Sequence, residues 1–178
     1  MNEIQVIEAC KRAESFAQRI LYDRYVDQMF LLCLRYIPSQ ADAEEILSDA
    51  FLKCFKSIGS FSYLGEGSLR AWLSRIVVNE CLMFLRRKKE LIISMDAQTT
   101  EPATAGQELT LSKIHVRDIL RYIQQLPAGY RTVLNLYVFE EMPHKEIASL
   151  LQISENTSKS QLFKARAMLK QLIERQFA

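Results

Sequence analysis

Glycine and proline are scarce in this chain, at 5 and 4 of 178 residues. A turn-rich β fold needs more punctuation than that, so long helices are expected. Histidine is rarer still. The 2 present, His115 and His144, have no carboxylate or cysteine at ligand spacing. No GxxxxGKS/T, GxGxxG, GxSxG or HExxH stretch occurs, which leaves phosphate-loop, dinucleotide, nucleophilic-serine and zinc-hydrolase chemistry without a foothold. The 4 cysteines, Cys10, Cys33, Cys54 and Cys81, form no CxxC pair and sit beside apolar residues at helical spacing. They read as buried, reduced thiols. No run approaches the ~18 apolar residues of a membrane span, and the N-terminus lacks the apolar core of a signal peptide. The expectation is a cytoplasmic protein that is not an enzyme, needs no cofactor or metal and inserts into no membrane.

What is present is segregated charge. The net charge is only +2, which by itself does not point to nucleic acid. Yet Asp42 to Asp49 holds four acids and no base, and Arg86 to Lys89 is four bases in a row. From Ser154 to Arg175, five bases face two acids. One acidic surface and two basic ones fit a protein that grips an anion in two places and a protein partner in a third.

Hydrophobic spacing divides the chain into two all-α domains. In residues 1–90 a first helix is expected over about Glu3 to Leu21 and a second to about Tyr36, where Pro38 ends it. Ser39 caps a third helix, with Asp42 as its capping-box partner. Ala43, Ile46, Leu47, Ala50, Phe51, Cys54, Phe55 and Ile58 form its apolar stripe. Asp42, Glu45 and Asp49 form a separate solvent-facing stripe. Gly59 to Gly67 breaks the pattern, and Ser68 is placed to cap a fourth helix ending in the run Arg86-Arg87-Lys88-Lys89. Residues 91–110 are poor in apolar groups, and no Lys or Arg occurs from Ser94 to Thr110. They read as a flexible linker. In residues 111–178 the expected helices are Leu111 to Gln125, a second opened by Pro127, a third opened by Pro143 and a fourth capped by Ser154.

The segment Pro143 to Ala165 has the spacing of a helix-turn-helix: a short helix, the turn Gln152-Ile153-Ser154, then a capped helix. Ser158, Leu162, Ala165 and Leu169 point inward. Asn156, Thr157, Ser160, Gln161 and Lys164 are read as outward. Short hydrogen-bonding side chains and a base suit base edges and phosphates in a major groove. An ordinary helical hairpin with a polar face is the plainer alternative.

The loop Gly59 to Gly67 carries Phe61, Tyr63 and Leu64, costly apolar exposure for a connector. Arg70, Trp72, Arg75, Asn79, Arg86 and Arg87 follow. Aromatic faces stack on unpaired bases at about 1–3 kcal/mol each while bases of the chain neutralise phosphates. A pocket for a base flipped out of the duplex needs this combination. Phe61 and Tyr63 can equally pack into the core, and for Trp72 the core is preferred.

Several of these stretches resemble one family. Leu21-Tyr22-Asp23-Arg24-Tyr25, Asp42 to Phe51 and Ser68 to Leu73 are similar to the core domain, region 2, of bacterial sigma factors of the extracytoplasmic-function type. Leu126-Pro127, Tyr130-Arg131, Lys145 to Ala148 and Ser154 to Arg166 resemble their region 4, with its helix-turn-helix. The resemblance covers nearly the whole chain in the right order. It implies a protein that directs RNA polymerase to promoters and helps open them. Asp42, Glu45, Asp49 and Phe51 would contact core polymerase. Phe61, Tyr63, Leu64, Arg70, Arg75, Asn79, Arg86 and Arg87 would serve the −10 element of promoter DNA. Arg131, Asn156, Thr157, Lys159, Ser160, Gln161, Lys164 and Arg166 would serve the −35 element, with Arg131 and Arg166 on phosphates. An anti-sigma factor is the further partner implied, and the free chain is expected to be a monomer. Asn156 and Ser158 stand where the family often has Gly and Val, and Gln161 where Arg is common. A dimeric repressor with a sensing domain explains the helix-turn-helix but not the aromatic, glycine-rich loop beside a basic helix.

Overall fold

The computed structural model describes residues 1–88 and 116–177. The chain divides into two compact units, Met1–Phe84 and Leu85–Ala178. Every regular element among the described residues is a helix. The expected linker at 91–110 and the first residues of the helix expected from Leu111 lie outside the described residues.

The first unit contains α1 (Glu3–Lys11), α2 (Ser15–Tyr36), α3 (Gln40–Ser57), a short 3-10 turn (Ile58–Ser60) and α4 (Ser68–Arg87). Asn2 and Gln5 begin α1 with a reciprocal capping box. The single helix expected over 3–21 is instead broken at Arg12–Glu14. Ala13 takes a left-handed conformation with φ 58°, and the N–H groups of Ala13 and Glu14 close onto the carbonyls of Cys10 and Ala9. No glycine or proline marks this break, because α1 stops there to lie against α2 and bury Val6, Ile7, Ala9 and Cys10. The Tyr25 hydroxyl ties the two helices by donating to Glu3 Oε1 at 2.6 Å. Burial first, then this carboxylate, pushes the phenol up to about 12.

Pro38 ends α2 as expected, with Ile37 in extended conformation before it. Ser39 caps α3 by accepting from the Asp42 N–H. α3 packs on α2 and buries Ala43, Ile46, Leu47, Ala50, Phe51 and Cys54. α4 is fastened to both. Its Ser74 hydroxyl reaches Met29 Sδ on α2, and its buried Glu80 pairs with Lys53 on α3 at 2.5 Å. All four cysteines are free and buried. Burial pushes the Cys54 thiol up to about 12, and the neighbouring Cys33 together with burial raises Cys81 as well.

The second unit contains α5 (Val116–Gln125), α6 (Ala128–Leu134) running on into a π-helical turn (Asn135–Phe139), α7 (His144–Leu151) and α8 (Glu155–Phe177). Pro127 and Pro143 occupy the N-cap positions of α6 and α7, where a missing N–H removes nothing. α8 is the spine: α5, α6 and α7 all pack against it. The core draws on Ile123, Leu126, Val133, Leu136, Ile147, Leu162 and Ala165.

Candidate nucleic-acid interface

In the second unit, α7 ends at Gln152, which turns left-handed at φ 56°. The Ile153 N–H returns to the Ala148 carbonyl at 3.0 Å. Ser154 then caps α8, its Oγ accepting from the Thr157 N–H at 2.9 Å. This is the helix-turn-helix read from the spacing. The two helices are also pinned by polar groups. His144 Nδ1 lies 2.9 Å from the buried Ser158 hydroxyl, and the Tyr137 ring stacks on His144 at 4.5 Å between centroids. The Arg166 guanidinium sits over that same Tyr137 ring. Burial, then Lys159, and also Arg166 hold the His144 imidazole below its ordinary range, against the opposing pull of Glu155.

The outward face of α8 presents Asn156 and Lys159 fully, with Thr157, Ser160 and Lys164 half-buried at its edges. Lys159 already pairs with Glu155 at 2.9 Å, and this contact draws the Glu155 carboxyl below its usual range. Two expected contacts are overturned. Gln161 is 5% exposed and its Oε1 has no hydrogen-bond partner among the described residues. It lies three residues from Ser158 and four from Ala165, both inward, so the helical period carries it to the inner side. Arg131 is 4% exposed, and its Nη1 donates to the carbonyls of Leu126 at 2.7 Å and Gln124 at 3.3 Å. It satisfies carbonyls left over at the end of α5 and is not available to a phosphate.

In the first unit, the loop between Phe61 and Gly67 is held by Ser68. That residue is not the expected cap; Gly67 accepts the first helical bond, from the Ala71 N–H. The Ser68 hydroxyl turns back to donate to the Gly65 carbonyl and accept from the Leu64 N–H. Gly65 and Gly67 have φ 121° and 82°, a backbone that a side chain would strain. Phe61 is buried against Trp72, with ring centroids 5.0 Å apart, so its face is not offered to a base. What the loop exposes is Tyr63 and, at 88% of its surface, Leu64. Arg70, Arg75, Asn79, Arg86 and Arg87 are all exposed along α4.

On α3, Glu45 and Asp49 are exposed and Asp42 is half-buried. Phe51 is buried, its ring 4.7 Å from that of Tyr22, and so presents no contact surface. The apolar group beside the acids is Leu52, which is 56% exposed one turn beyond Asp49. The spacing carried the signal: Leu52 stands outside the inward stripe, three residues after Asp49.

Residues 21–90 match the model for Sigma-70 region 2, and residues 117–169 match that for Sigma-70, region 4. This chain belongs to the sigma-70 family. Among its relatives is the ECF RNA polymerase sigma factor SigM of Bacillus subtilis, 29% identical over 157 residues that span 87% of this chain and 94% of the relative. The RNA polymerase sigma-H factor of Pseudomonas aeruginosa is 26% identical over 96% of this chain and 93% of its own. The ECF RNA polymerase sigma-E factor of Escherichia coli is 26% identical over 90% and 88%. The sigma factor is of the extracytoplasmic-function type. CnrH, solved in complex with the cytosolic domain of CnrY, shares its fold with a TM-score of 0.50 at 18% identity, over 96% of each chain. Both family models fall on the surfaces described above: the loop and acidic stripe lie within region 2 and the helix-turn-helix within region 4.

Proposed function

We propose that this sigma factor, which serves promoter-specific initiation by RNA polymerase, divides its grip between three surfaces. Glu45 and Asp49, with Leu52 between their turn and the next, dock on core polymerase. Tyr63 and Leu64 receive bases of the opened −10 element while Arg70, Arg75, Asn79, Arg86 and Arg87 hold its backbone. Asn156, Thr157, Ser160, Lys159 and Lys164 on α8 meet the −35 element as duplex, with Arg166 at a flanking phosphate. Residues 1–90 and 111–178 act as the two working domains. Opening needs no catalysis by the chain. Capture of unpaired, stacked bases offsets the unpairing of a few base pairs.

The observation that carries this reading is the exposed Tyr63–Leu64 pair on a loop leading into a basic helix. A protein that bound only duplex would have no use for it. The isolated chain binds DNA weakly in this account, because two separate grips gain from each other only when their spacing is set. A cytoplasmic anti-sigma factor that covers the acidic and DNA-facing surfaces completes the proposal.

Transcription with purified core polymerase tests it. Glu45→Arg with Asp49→Arg abolishes association with core while the fold survives; unchanged affinity rejects that interface. Tyr63→Ala with Leu64→Ala slows opening on duplex templates, and a pre-melted template restores activity. Failure of the pre-melted template to rescue rejects the stacking role.

A further inference from the structure

His144 opens α7 and is half-buried there. Its contact with the buried Ser158 hydroxyl, 2.9 Å from Nδ1, is its one hydrogen bond among the described residues. From the π-helical turn, the Tyr137 ring covers it at 4.5 Å between centroids. From α8 it feels Lys159, Glu155 and Arg166, the last lying over that Tyr137 ring. Lys145, its neighbour in α7, is exposed and acts on Glu155. Burial, Lys159 and Arg166 oppose a proton on the imidazole, and Glu155 favours one. In the free chain the opposition wins, and the ring sits below the ordinary histidine range. That balance depends on where two cations go. Lys159 pairs with Glu155 at 2.9 Å. A DNA phosphate that draws Lys159 away, and another that meets Arg166, cancels both opposing charges. Glu155 then loses its ammonium and is left facing the imidazole. The bond to Ser158 survives the change, because a hydroxyl accepts from a protonated ring nitrogen as readily as it donates to a bare one.

We propose that binding of upstream duplex takes up a proton at His144, so that the helix-turn-helix grips DNA more tightly as pH falls. The inference rests on the reading that Lys159 and Arg166 meet DNA phosphates. Its sign follows from linkage. The bound form holds the proton more firmly than the free one. The gain in affinity is therefore complete below the midpoint of the free ring and is lost as pH rises through the midpoint of the bound ring.

The test uses holoenzyme reconstituted from the full chain and core polymerase, bound to upstream promoter duplex at constant ionic strength. Wild type is expected to bind about threefold more tightly at about pH 5.5 than at about pH 7.5, which a rise of about half a pH unit in the midpoint of the ring provides. His144→Gln keeps a hydrogen-bonding group for Ser158 and cannot take up the proton. It removes the gain that wild type shows over the same core and the same DNA. The chain has 2 histidines, and His115→Gln retains the gain. Thermal unfolding checks that His144→Gln leaves the second unit intact. If it does not, Glu155→Gln carries the test, since it keeps the ring and its contacts and loses the carboxylate that favours the proton; the gain then shrinks. A wild type without pH dependence overturns the inference, as does a gain that persists undiminished in His144→Gln or in Glu155→Gln. Replacing the upstream element by unrelated duplex separates the two levels. If affinity does not change, docking of α8 fails and the inference with it. If the element matters while His144→Gln follows the wild-type slope, only the proton linkage fails.

Discussion

Arg131 offers the sharpest contrast between two roles for one residue. The family resemblance implies a phosphate contact, while its burial and its bonds to the carbonyls of Leu126 and Gln124 make it an internal clamp on the end of α5. Replacing it with methionine keeps the volume of the stem and removes the donors. A hydrogen bond from a charged group is worth about 1.5–3 kcal/mol. Counting the 2.7 Å bond to Leu126 fully and the 3.3 Å bond to Gln124 in part, the loss is about 2–4 kcal/mol. Part of that is returned because a buried charge no longer has to be desolvated. For a domain of this size each kcal/mol moves the midpoint by about 4–8 °C. Arg131→Met is therefore expected to lower the melting temperature of the second unit by about 10 °C or more, measured by thermal unfolding of the full chain. Arg131→Lys recovers only part of the loss, since an ammonium cannot serve both carbonyls in the geometry of a guanidinium. Below the melting point, the salt dependence of upstream DNA binding by holoenzyme stays that of wild type. An unchanged melting temperature, with a salt slope reduced by about one, would refute the reasoning and restore the phosphate contact.

Other outcomes are expected from the same structure. Lys53→Met leaves the buried Glu80 carboxylate unpaired and costs about 2–3 kcal/mol in urea unfolding, more than Glu80→Gln, which leaves only a half-exposed ammonium behind; equal losses would mean the pair has no such asymmetry. Phe61→Ala destabilises the first unit by about 3 kcal/mol as a buried aromatic, whereas Leu64→Ala leaves unfolding unchanged. Ala13→Gly relieves the left-handed backbone and stabilises by about 1 kcal/mol, and a loss there would contradict the φ assigned. The raised Tyr25 phenol contributes stability that is complete below pH 10 and is lost as pH climbs from 10 through about 12. Tyr25→Phe should flatten that decline, read as the pH dependence of the urea midpoint. The four thiols resist a disulfide reagent in the native chain and react after unfolding, because burial puts them out of reach.

Much of the working surface was legible in the sequence. Ser154 as a cap, Pro127 and Pro143 as helix openers and Pro38 as a helix stop act within a few residues of themselves, so local chemistry suffices to place them. The acids of α3 separate from its apolar stripe for the same reason: both follow the helical period. The departures have a common cause. Phe61 is left open by the sequence between a base and the core. Phe51 is a contact implied by the resemblance, although it already stands in the apolar stripe of α3. Gln161 is judged by residue type, as a polar group on a reading helix, and Arg131 is again a contact implied by the resemblance. Each is buried because of what lies across from it: Trp72, Tyr22, the inner side of the helix bundle, and the open carbonyls of α5. Leu52 and Phe163 are the converse, apolar groups left about half exposed.

By itself the sequence determined the helices, nearly all their ends, the two-domain order and the family, since periodicity, caps and prolines act over short distances and the motifs are read in line. Only the tertiary structure decided the break at Ala13, which no residue type announces, and which side chains of each face are available to a partner. Exposure is settled by the neighbours a residue meets across the fold. A helical period confines a side chain to a direction; only the opposing helix says whether that direction leads to solvent.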